Sequence, residues 1–478
     1  MQISSVLIER AGARGVSIGK SPEGQVILVT GGAPGDVCTV QIVRKKKGHL
    51  EGRVTRIEIP SPLRVTPECQ HFGLCGGCKW QHVSYAGQTE FKEAEVRQSL
   101  ERIGKVTGAH YAPIVPAPAP YGYRNKMEYT FTAQRYLTFE ELDSGETFSD
   151  RRGVGFHVPG LWDKVIDLKE CHLQNDTGNA IRLFLREYGM RHSLDFYHLR
   201  EQIGFLRTVT LRNNRKGEWM VSLLVGREEP DSVKALVQST VAAFPSIVSF
   251  YVGVNGKGND SLYDVDLELH HGLPHLEERM EAAMPGGTPL LFRIGPKSFY
   301  QTNPVQAEKL YHTALEMADI SSSDRVYDLY TGTGTIALFM AQKAHYVAGI
   351  ESVPEAIEAA RENAIANRIQ NVAFEVGDMR NAFSEAFVQR HGAPQLIVTD
   401  PPRDGMHPKV VEQLLSLQAP RIVYISCNSA TQARDLELLQ SKYTVDQVQA
   451  VDMFPQTHHI ESVARLTLRN EFATFERS

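Results

Sequence analysis

Asp328-Leu329-Tyr330-Thr331-Gly332-Thr333-Gly334-Thr335-Ile336-Ala337 closes one strand-like run, Arg325-Val326-Tyr327-Asp328-Leu329, and opens a helix-like one, Ile336 to Gln342. Its glycines, Gly332 and Gly334, follow the G-x-G-x-x-A spacing, and an acid, Glu351, comes about 20 residues later. Glycines let a backbone pass close to a ligand. An acid at the end of the next strand, Val347-Ala348-Gly349-Ile350, can accept hydrogen bonds from both hydroxyls of a ribose. On this alone a nicotinamide cofactor and S-adenosylmethionine fit equally. Asp328 favours S-adenosylmethionine, because a carboxylate attracts its cationic amino-acid group and repels a pyrophosphate.

The alternation continues outward from this turn. Pro354 to Ala366 reads as an amphipathic helix with proline in its first turn, and Val372-Ala373-Phe374, Leu396-Ile397-Val398 and Arg421 to Ile425 read as further strands. Strands alternating with helices predict an α/β, doubly wound, Rossmann-like parallel sheet over 291–478, whose ligands lie beyond the carboxyl ends of the strands.

Two strand ends carry chemistry. Asp400-Pro401-Pro402-Arg403 ends one, and its prolines fix the backbone and leave carbonyls facing the cleft. A plain rigid turn explains that motif equally well unless a reactive group lies beside it. Cys427 ends the next, in Tyr424-Ile425-Ser426-Cys427-Asn428-Ser429, ahead of a helix whose N-terminus would favour thiolate. Carbon 5 of uracil is not nucleophilic. A thiolate added at carbon 6 makes it so, and after methylation a base must remove the carbon 5 proton. Glu461, in Thr457-His458-His459-Ile460-Glu461-Ser462, precedes the last strand-like run and is the candidate base. The ordinary fate of a lone Cys is a small buried core residue, and His458-His459 read as a structural or surface pair.

A chain of 478 residues needs two or three domains. Its 42% apolar and 22% charged content is that of a globular protein, with no run long enough to span a bilayer and no signal-peptide pattern, so a cytoplasmic location without membrane contact is expected. The net charge of −5 excludes any global argument for nucleic-acid binding and leaves local patches, of which Arg44-Lys45-Lys46-Lys47 is one. Taken alone, such a run is usually a solvated loop. Residues 1–60 carry short apolar runs between glycine-rich turns and predict a small β-barrel. Residues 61–290 are expected to form a central α+β domain. It holds Cys69-x5-Cys75-x2-Cys78 and, much later, Cys171. Four thiolates suit zinc or a [4Fe-4S] cluster, and three clustered Cys with one remote Cys look more like an iron–sulfur ligand set than paired zinc knuckles. Phe91 to Leu100 has helical spacing, and Pro113 to Pro120 reads as an extended connector.

Taken together, these motifs resemble the RNA uridine-5-methyltransferases that act on 23S ribosomal RNA, and their relatives acting on the T-loop uridine of transfer RNA. The resemblance spans nearly the whole chain. It implies that residues 1–60 are a TRAM/OB-like RNA-binding barrel, with Lys45, Lys46 and Lys47 on phosphates. Cys69, Cys75, Cys78 and Cys171 would hold a [4Fe-4S] cluster. Tyr123-Arg124-Asn125-Lys126-Met127-Glu128 resembles the opening motif of the family's central domain and places Arg124 and Lys126 toward RNA. S-adenosylmethionine contacts map to Gln301, Tyr330, Glu351 and Asp400, the nucleophile to Cys427 and the base to Glu461. The family often has Cys and Val where Thr331 and Thr333 stand here. The expected protein is a monomer that methylates uridine carbon 5 of 23S rRNA, with the target base flipped from its stack. The alternatives are the same chemistry on tRNA, or an inactive RNA-binding assembly factor. A cytosine-5 methyltransferase is disfavoured because no Cys adjoins Asp400-Pro401-Pro402, and a nicotinamide-dependent iron–sulfur oxidoreductase is a more distant reading.

Overall fold

The computed structural model describes residues 1–382 and 384–472. At the N-terminus, strands Gln2–Ala11, Ser17–Lys20, Val26–Thr30, Val37–Lys46 and His49–Ile59 close into a five-stranded barrel. Alternation along each strand sends Val6, Ile8, Ile27, Val29, Cys38, Val40 and Leu50 inward to a single small core. Beyond that core both faces of the hairpin between the last two strands are exposed, and Lys45, Lys46 and Lys47 stand there. Buried Asp36 fastens the barrel to the chain that leaves it. Its carboxylate accepts from the backbone N–H of Ala33 (2.6 Å) and Ser61 (2.8 Å) and from Arg64 Nε (3.0 Å).

The central body is a six-stranded sheet in the order Leu267–Gly272, Ile247–Val254, Trp219–Val225, Leu206–Asn213, Lys126–Thr132, Gly153–Gly155. Helices Asp176–Arg191 and Pro230–Ala243 bury their apolar faces against it and share one core that includes Phe131, Leu185, Leu223, Leu236 and Phe250.

The C-terminal body is an eight-stranded sheet. Strands Val372–Val376, Tyr346–Glu351, Arg325–Leu329, Leu396–Thr399 and Arg421–Ser426 are parallel neighbours in that order, followed by Glu461–Leu468, Tyr443–Val451 and His110–Val115. Both faces of the sheet are covered, which explains the near-continuous apolar runs of its strands. The strand order reverses direction between Arg325–Leu329 and Leu396–Thr399. There the flanking connections leave on opposite faces, and a cleft opens beyond the strand ends.

The segment expected as one central domain is divided in space. Helix Tyr85–Arg102 packs on helix Ser429–Leu439 through Val96, Leu100, Ala433 and Leu436. Strand His110–Val115, which overlaps the start of the stretch read as a connector (Pro113 to Pro120), pairs in parallel with Tyr443–Val451 and extends the C-terminal sheet. The hairpin of Leu276–Met280 and Leu290–Ile294 also joins the C-terminal core, through Met280, Leu290 and Phe292. Apolar periodicity shows that such elements have a buried face and leaves the partner of that face open.

Helix Tyr85–Arg102 clamps the loop that leads to Glu461. Lys92 Nζ, fully buried, donates to Asp452 Oδ1 (2.6 Å) and to the Phe454 carbonyl (3.0 Å), while Tyr85 OH donates to Asp452 Oδ2 (2.9 Å). The Gln88 side chain donates to Gln456 Oε1 and accepts from Gln456 N–H, each at 2.9 Å. Removing one partner from a buried pair strands the other charge. Lys92→Met should therefore lower the unfolding free energy by about 3–5 kcal/mol in urea titrations, and the double variant Lys92→Met/Asp452→Leu should recover most of that loss.

Candidate active site

The glycine turn lies at the sheet's point of reversal. Tyr330 (φ 61°), Gly332 (φ 53°) and Gly334 (φ 79°) are left-handed, which folds the chain sharply from strand Arg325–Leu329 into helix Thr335–Ala341. A Cβ on Gly334 would lie 2.9 Å from Ala360 Cβ and 3.0 Å from Phe374 Cζ, whereas one on Gly332 would meet nothing within 4 Å. Gly334 therefore permits tight packing, and Gly332 faces open space. Glu351 closes the turn: Oε2 accepts from Gly332 N–H (3.2 Å), and Oε1 accepts from Ser352 N–H (2.7 Å) and Val353 N–H (3.0 Å).

Asp328 sits beneath the turn, fully buried. One oxygen accepts from the Thr331 hydroxyl. The other, Oδ1, is buried with no hydrogen bond of normal geometry, although the Ala337 N–H eases its charge. Burial pushes its pKa up to about 7, with the charge of Asp400 adding to the effect. Burial likewise raises Asp400 to about 7. Asp400 ends strand Leu396–Thr399, and its N–H reaches back to the Leu329 carbonyl (3.4 Å).

Strand register brings the thiol to the acid. Arg421–Ser426 runs antiparallel to Glu461–Leu468 with Ser426 opposite Ser462, so one step further along the ladder sets Cys427 across from Glu461. Cys427 is half-buried, and Asn428 caps the helix that follows, accepting from Ala430 N–H at 3.1 Å. Burial, with the charges of Glu461 and Asp400 adding to it, raises the Cys427 thiol to about 11. The guanidinium of Arg403, close enough to hydrogen-bond the sulfur, acts in the opposite direction. Glu461 is 5% exposed. Its pKa is held well above the usual carboxylate range by burial and then by Asp400, again opposed by Arg403.

Arg403 is assigned no role by the sequence beyond closing the Asp400-Pro401-Pro402-Arg403 motif. Its carbonyl is held by Asn428 Nδ2 (3.0 Å) and Thr431 Oγ1 (3.1 Å), and its Nη2 lies 3.0 Å from His459 Nδ1. No local pattern could have found it, because the sulfur it faces lies 24 residues along the chain (427 − 403) on another strand. His458 and His459 lie with ring centroids 4.1 Å apart, and burial lowers their pKa values to about 4 and about 3. They are neutral packing groups beside the thiol. Gln301 is half-buried in the loop before helix Pro304–Ala318, and its carbonyl accepts from Asn125 Nδ2 of the central body (3.3 Å).

The thiol opens into a cleft of about 1180 Å³ between the barrel, helix Tyr85–Arg102 and the C-terminal body. Arg10, Arg14, Phe91, Arg403 and His459 are among its walls. Lys45, Lys46 and Lys47 lie elsewhere on the barrel surface and line none of the cleft.

Cys69, Cys75, Cys78 and Cys171 meet around a separate cavity of about 320 Å³. All six cysteines are free. Burial raises the thiols of Cys75 to about 11 and Cys78 to about 12, and their neighbours' charges add to both shifts. Among the described residues, no group of three or more His, Cys, Asp or Glu side chains is gathered closely enough to hold a metal ion. The thiols thus surround a space instead of converging on a point. Arg124 and Lys126, expected on an RNA surface, line this cavity. Both are half-buried, and Arg124 also stacks over Phe454 at 5.9 Å. Cys38 is a barrel-core residue whose sulfur lies 3.6 Å from the Val6 carbonyl.

Residues 275–469 match the family described as tRNA (Uracil-5-)-methyltransferase, and residues 2–55 match the TRAM domain. A protein of Porphyromonas gingivalis described as an uncharacterized RNA methyltransferase is 46% identical over 453 residues, covering 93% of this chain and 96% of its own. One of Bacteroides thetaiotaomicron, described in the same words, is 45% identical over 447 residues, covering 93% and 97%. The crystal structure of Pyrococcus abyssi tRNA (uracil-54, C5)-methyltransferase in complex with S-adenosyl-L-homocysteine is similar over 98% of this chain and 100% of that one, with a TM-score of 0.73 and 28% identity. Among the described residues, no helix is long and apolar enough to cross a membrane.

The thiol's surroundings set its reactivity. Alkylation of Cys427 by iodoacetamide, followed by peptide mass spectrometry, should still be rising at about pH 10, where an ordinary thiol has levelled off. Arg403→Gln should move the profile to still higher pH and slow alkylation at neutral pH.

Proposed function

This chain belongs to the RNA uracil-5-methyltransferase family, with a TRAM domain at its N-terminus, and from that premise we propose that it methylates carbon 5 of a uridine in structured RNA through a covalent Cys427 adduct. One observation carries the reading: a half-buried thiol and a buried carboxyl face each other across one strand ladder, beside the glycine turn.

The donor site fits S-adenosylmethionine. Gly332 leaves open space at the turn, and Glu351 sits with both oxygens fixed at the end of the second strand, where ribose hydroxyls would reach it. The unpaired Oδ1 of Asp328 suits a cationic amino-acid group, and Asp400 lies between that group and the thiol. Tyr330, Gly334 and Gln301 shape the remaining wall. S-adenosylmethionine supplies an electrophilic methyl on a sulfonium.

The residues of the chain do the rest. Cys427 loses its proton to the open cleft, and Arg403 holds the resulting thiolate. The sulfur bonds to carbon 6 of the flipped base, and the ring's double-bond electrons move to the enolate. Carbon 5 takes the methyl. Glu461 in its ionised form removes the carbon 5 proton, the double bond re-forms, and the Cys427–carbon 6 bond breaks, which regenerates the thiolate. The raised pKa of Glu461 makes it a stronger base than an exposed carboxylate.

The four thiols of the second cavity fit a [4Fe-4S] cluster held by Cys69, Cys75, Cys78 and Cys171. They are unpaired, mutually repelling and arranged around a volume larger than one ion. Iron would neutralise the buried thiolates and tie the Cys69–Cys78 loop to the central sheet, a structural role. Arg124 and Lys126 then act beside the cluster, and RNA contact passes to the barrel, with Lys45, Lys46 and Lys47 on its outer hairpin.

The family resemblance implies 23S rRNA as the substrate. The Pyrococcus abyssi protein, titled a tRNA enzyme, shares the full length of this architecture, so domain content does not separate the two RNA classes. A map of 5-methyluridine in rRNA and tRNA from a deletion strain does. An inactive assembly factor is disfavoured, since such a protein has no need of Cys427 opposite Glu461.

Three outcomes test this reading. Substrate RNA carrying 5-fluorouridine has no carbon 5 proton to lose, so it should trap a stable protein–RNA adduct that Cys427→Ala abolishes; normal methylation by Cys427→Ala would overturn the mechanism. Asp328 must ionise to receive a cation, so S-adenosylmethionine affinity should rise with pH up to about 7 and level off above it, and Asp328→Asn should flatten that profile. Anaerobically reconstituted protein should absorb near ~400 nm with iron and sulfide bound; stoichiometric zinc without that band would replace iron with zinc.

A further inference from the structure

Of the chain's three tryptophans, Trp80 and Trp219 are 3% and 1% exposed, whereas Trp162 is 66% exposed. It stands on strand Leu161–Val165, which pairs with His157–Val158 across the turn Pro159-Gly160. The indole and His157 form the wall between two hollows. One, about 300 Å³, is completed by Tyr197, Gln202 and Arg207. The other, about 500 Å³, is open and is completed by Gly76, Lys79 and Pro159. In the first, the Arg207 guanidinium packs over the Tyr197 ring at 4.4 Å, and both are buried, so they form a fixed floor and leave the indole as the exposed aromatic surface.

This hairpin is continuous with the thiol cleft. Lys79 lines the open hollow, and its backbone N–H donates to the Gln456 carbonyl (2.9 Å) in the loop that leads to Glu461. A Cβ on Gly15 of the barrel would lie 2.9 Å from Lys79 Cβ and 3.4 Å from His458 Nδ1, so barrel, Lys79 and His458 meet at one point. His458 and Arg14 are walls of the cleft that holds Cys427. Arg14, Lys79 and His458 therefore lie together between the thiol cleft and the Trp162 hairpin.

We propose that Trp162 is a stacking platform for an unpaired nucleobase of the substrate RNA, outside the catalytic cleft, and that Lys79 carries the intervening phosphate. The proposal rests on the RNA-methyltransferase reading and adds a second, sequence-tolerant subsite to it. An indole exposed on both faces suits a base, because every base has a π-face. The cation between the two sites suits a phosphate backbone. Flanking nucleotides held on this platform would also keep a flipped uridine from returning to its stack.

The test uses the full-length protein and a uridine stem–loop RNA that the wild type methylates, made with and without single-stranded flanks. With Trp80 and Trp219 buried, quenching of tryptophan emission reports Trp162. Flanked RNA should quench it, flankless RNA should not, and Trp162→Phe should lose the quenching. Trp162→Ala should raise KM for the flanked RNA about tenfold with kcat and S-adenosylmethionine affinity unchanged, and Trp162→Phe should keep KM near the wild-type value. Unchanged KM in Trp162→Ala, or quenching that follows protein concentration in place of RNA, overturns the platform; the latter outcome would assign the hairpin to a second copy of the chain. Absence of methyl transfer to any RNA by the wild type would instead sink the methyltransferase reading, and RNA-dependent quenching would still support the platform.

Discussion

Three carboxyls, Asp328, Asp400 and Glu461, are gathered at the ends of neighbouring strands with one nearby guanidinium, Arg403. Burial disfavours their ionised forms, and the charge of Asp400 adds to the effect at Asp328 and Glu461; Asp328 and Asp400 are raised to about 7 and Glu461 well above the usual carboxylate range. Such an arrangement is costly in an unliganded core. It suits a site that receives a cation, because a positively charged donor offsets the repulsion on binding. Burial, with Glu461 and Asp400, also favours the protonated form of the Cys427 thiol, and Arg403 opposes them. The chemistry proposed for this chain follows from that one electrostatic constraint.

The scaffold keeps those groups in place. The sheet reversal fixes Asp328 and Asp400 on adjacent parallel strands, and the antiparallel ladder fixes Cys427 against Glu461. Glu461 arrives from a loop that would be free to move on its own. Lys92, Gln88 and Tyr85 pin it from a helix more than 350 residues earlier in the chain, since Asp452 lies 360 residues beyond Lys92. That helix also forms one wall of the cleft, so the element that steadies Glu461 also faces the cleft.

Local chemistry was legible in the sequence where it was written locally. The turn at Gly332 and Gly334, the acid at Glu351, the alternation of the barrel strands and the clustering of Cys69, Cys75 and Cys78 all announce themselves by spacing. Cys427 and Glu461 stood at strand ends, and a sheet brings strand ends together. What escaped was partnership between distant surfaces. Helix Tyr85–Arg102 and strand His110–Val115 look like members of the central body by position and pack on the C-terminal one by apolar fit. Arg403 had no role of its own until the fold set it beside the sulfur. The motif resemblance placed Arg124 and Lys126 toward RNA, and their position on the thiol cavity depends on strand Lys126–Thr132 lying next to the Cys171 loop. Trp162 gave no signal at all, since exposure is a property of the folded surface.

The central claim is that Glu461 resolves a covalent intermediate formed by Cys427. Denaturing mass spectrometry of Glu461→Gln, incubated with S-adenosylmethionine and unmodified substrate RNA, tests it most directly. The account predicts a Cys427–RNA species that already carries the transferred methyl and accumulates because its proton cannot leave. Wild-type turnover by Glu461→Gln, with no such species, would contradict it.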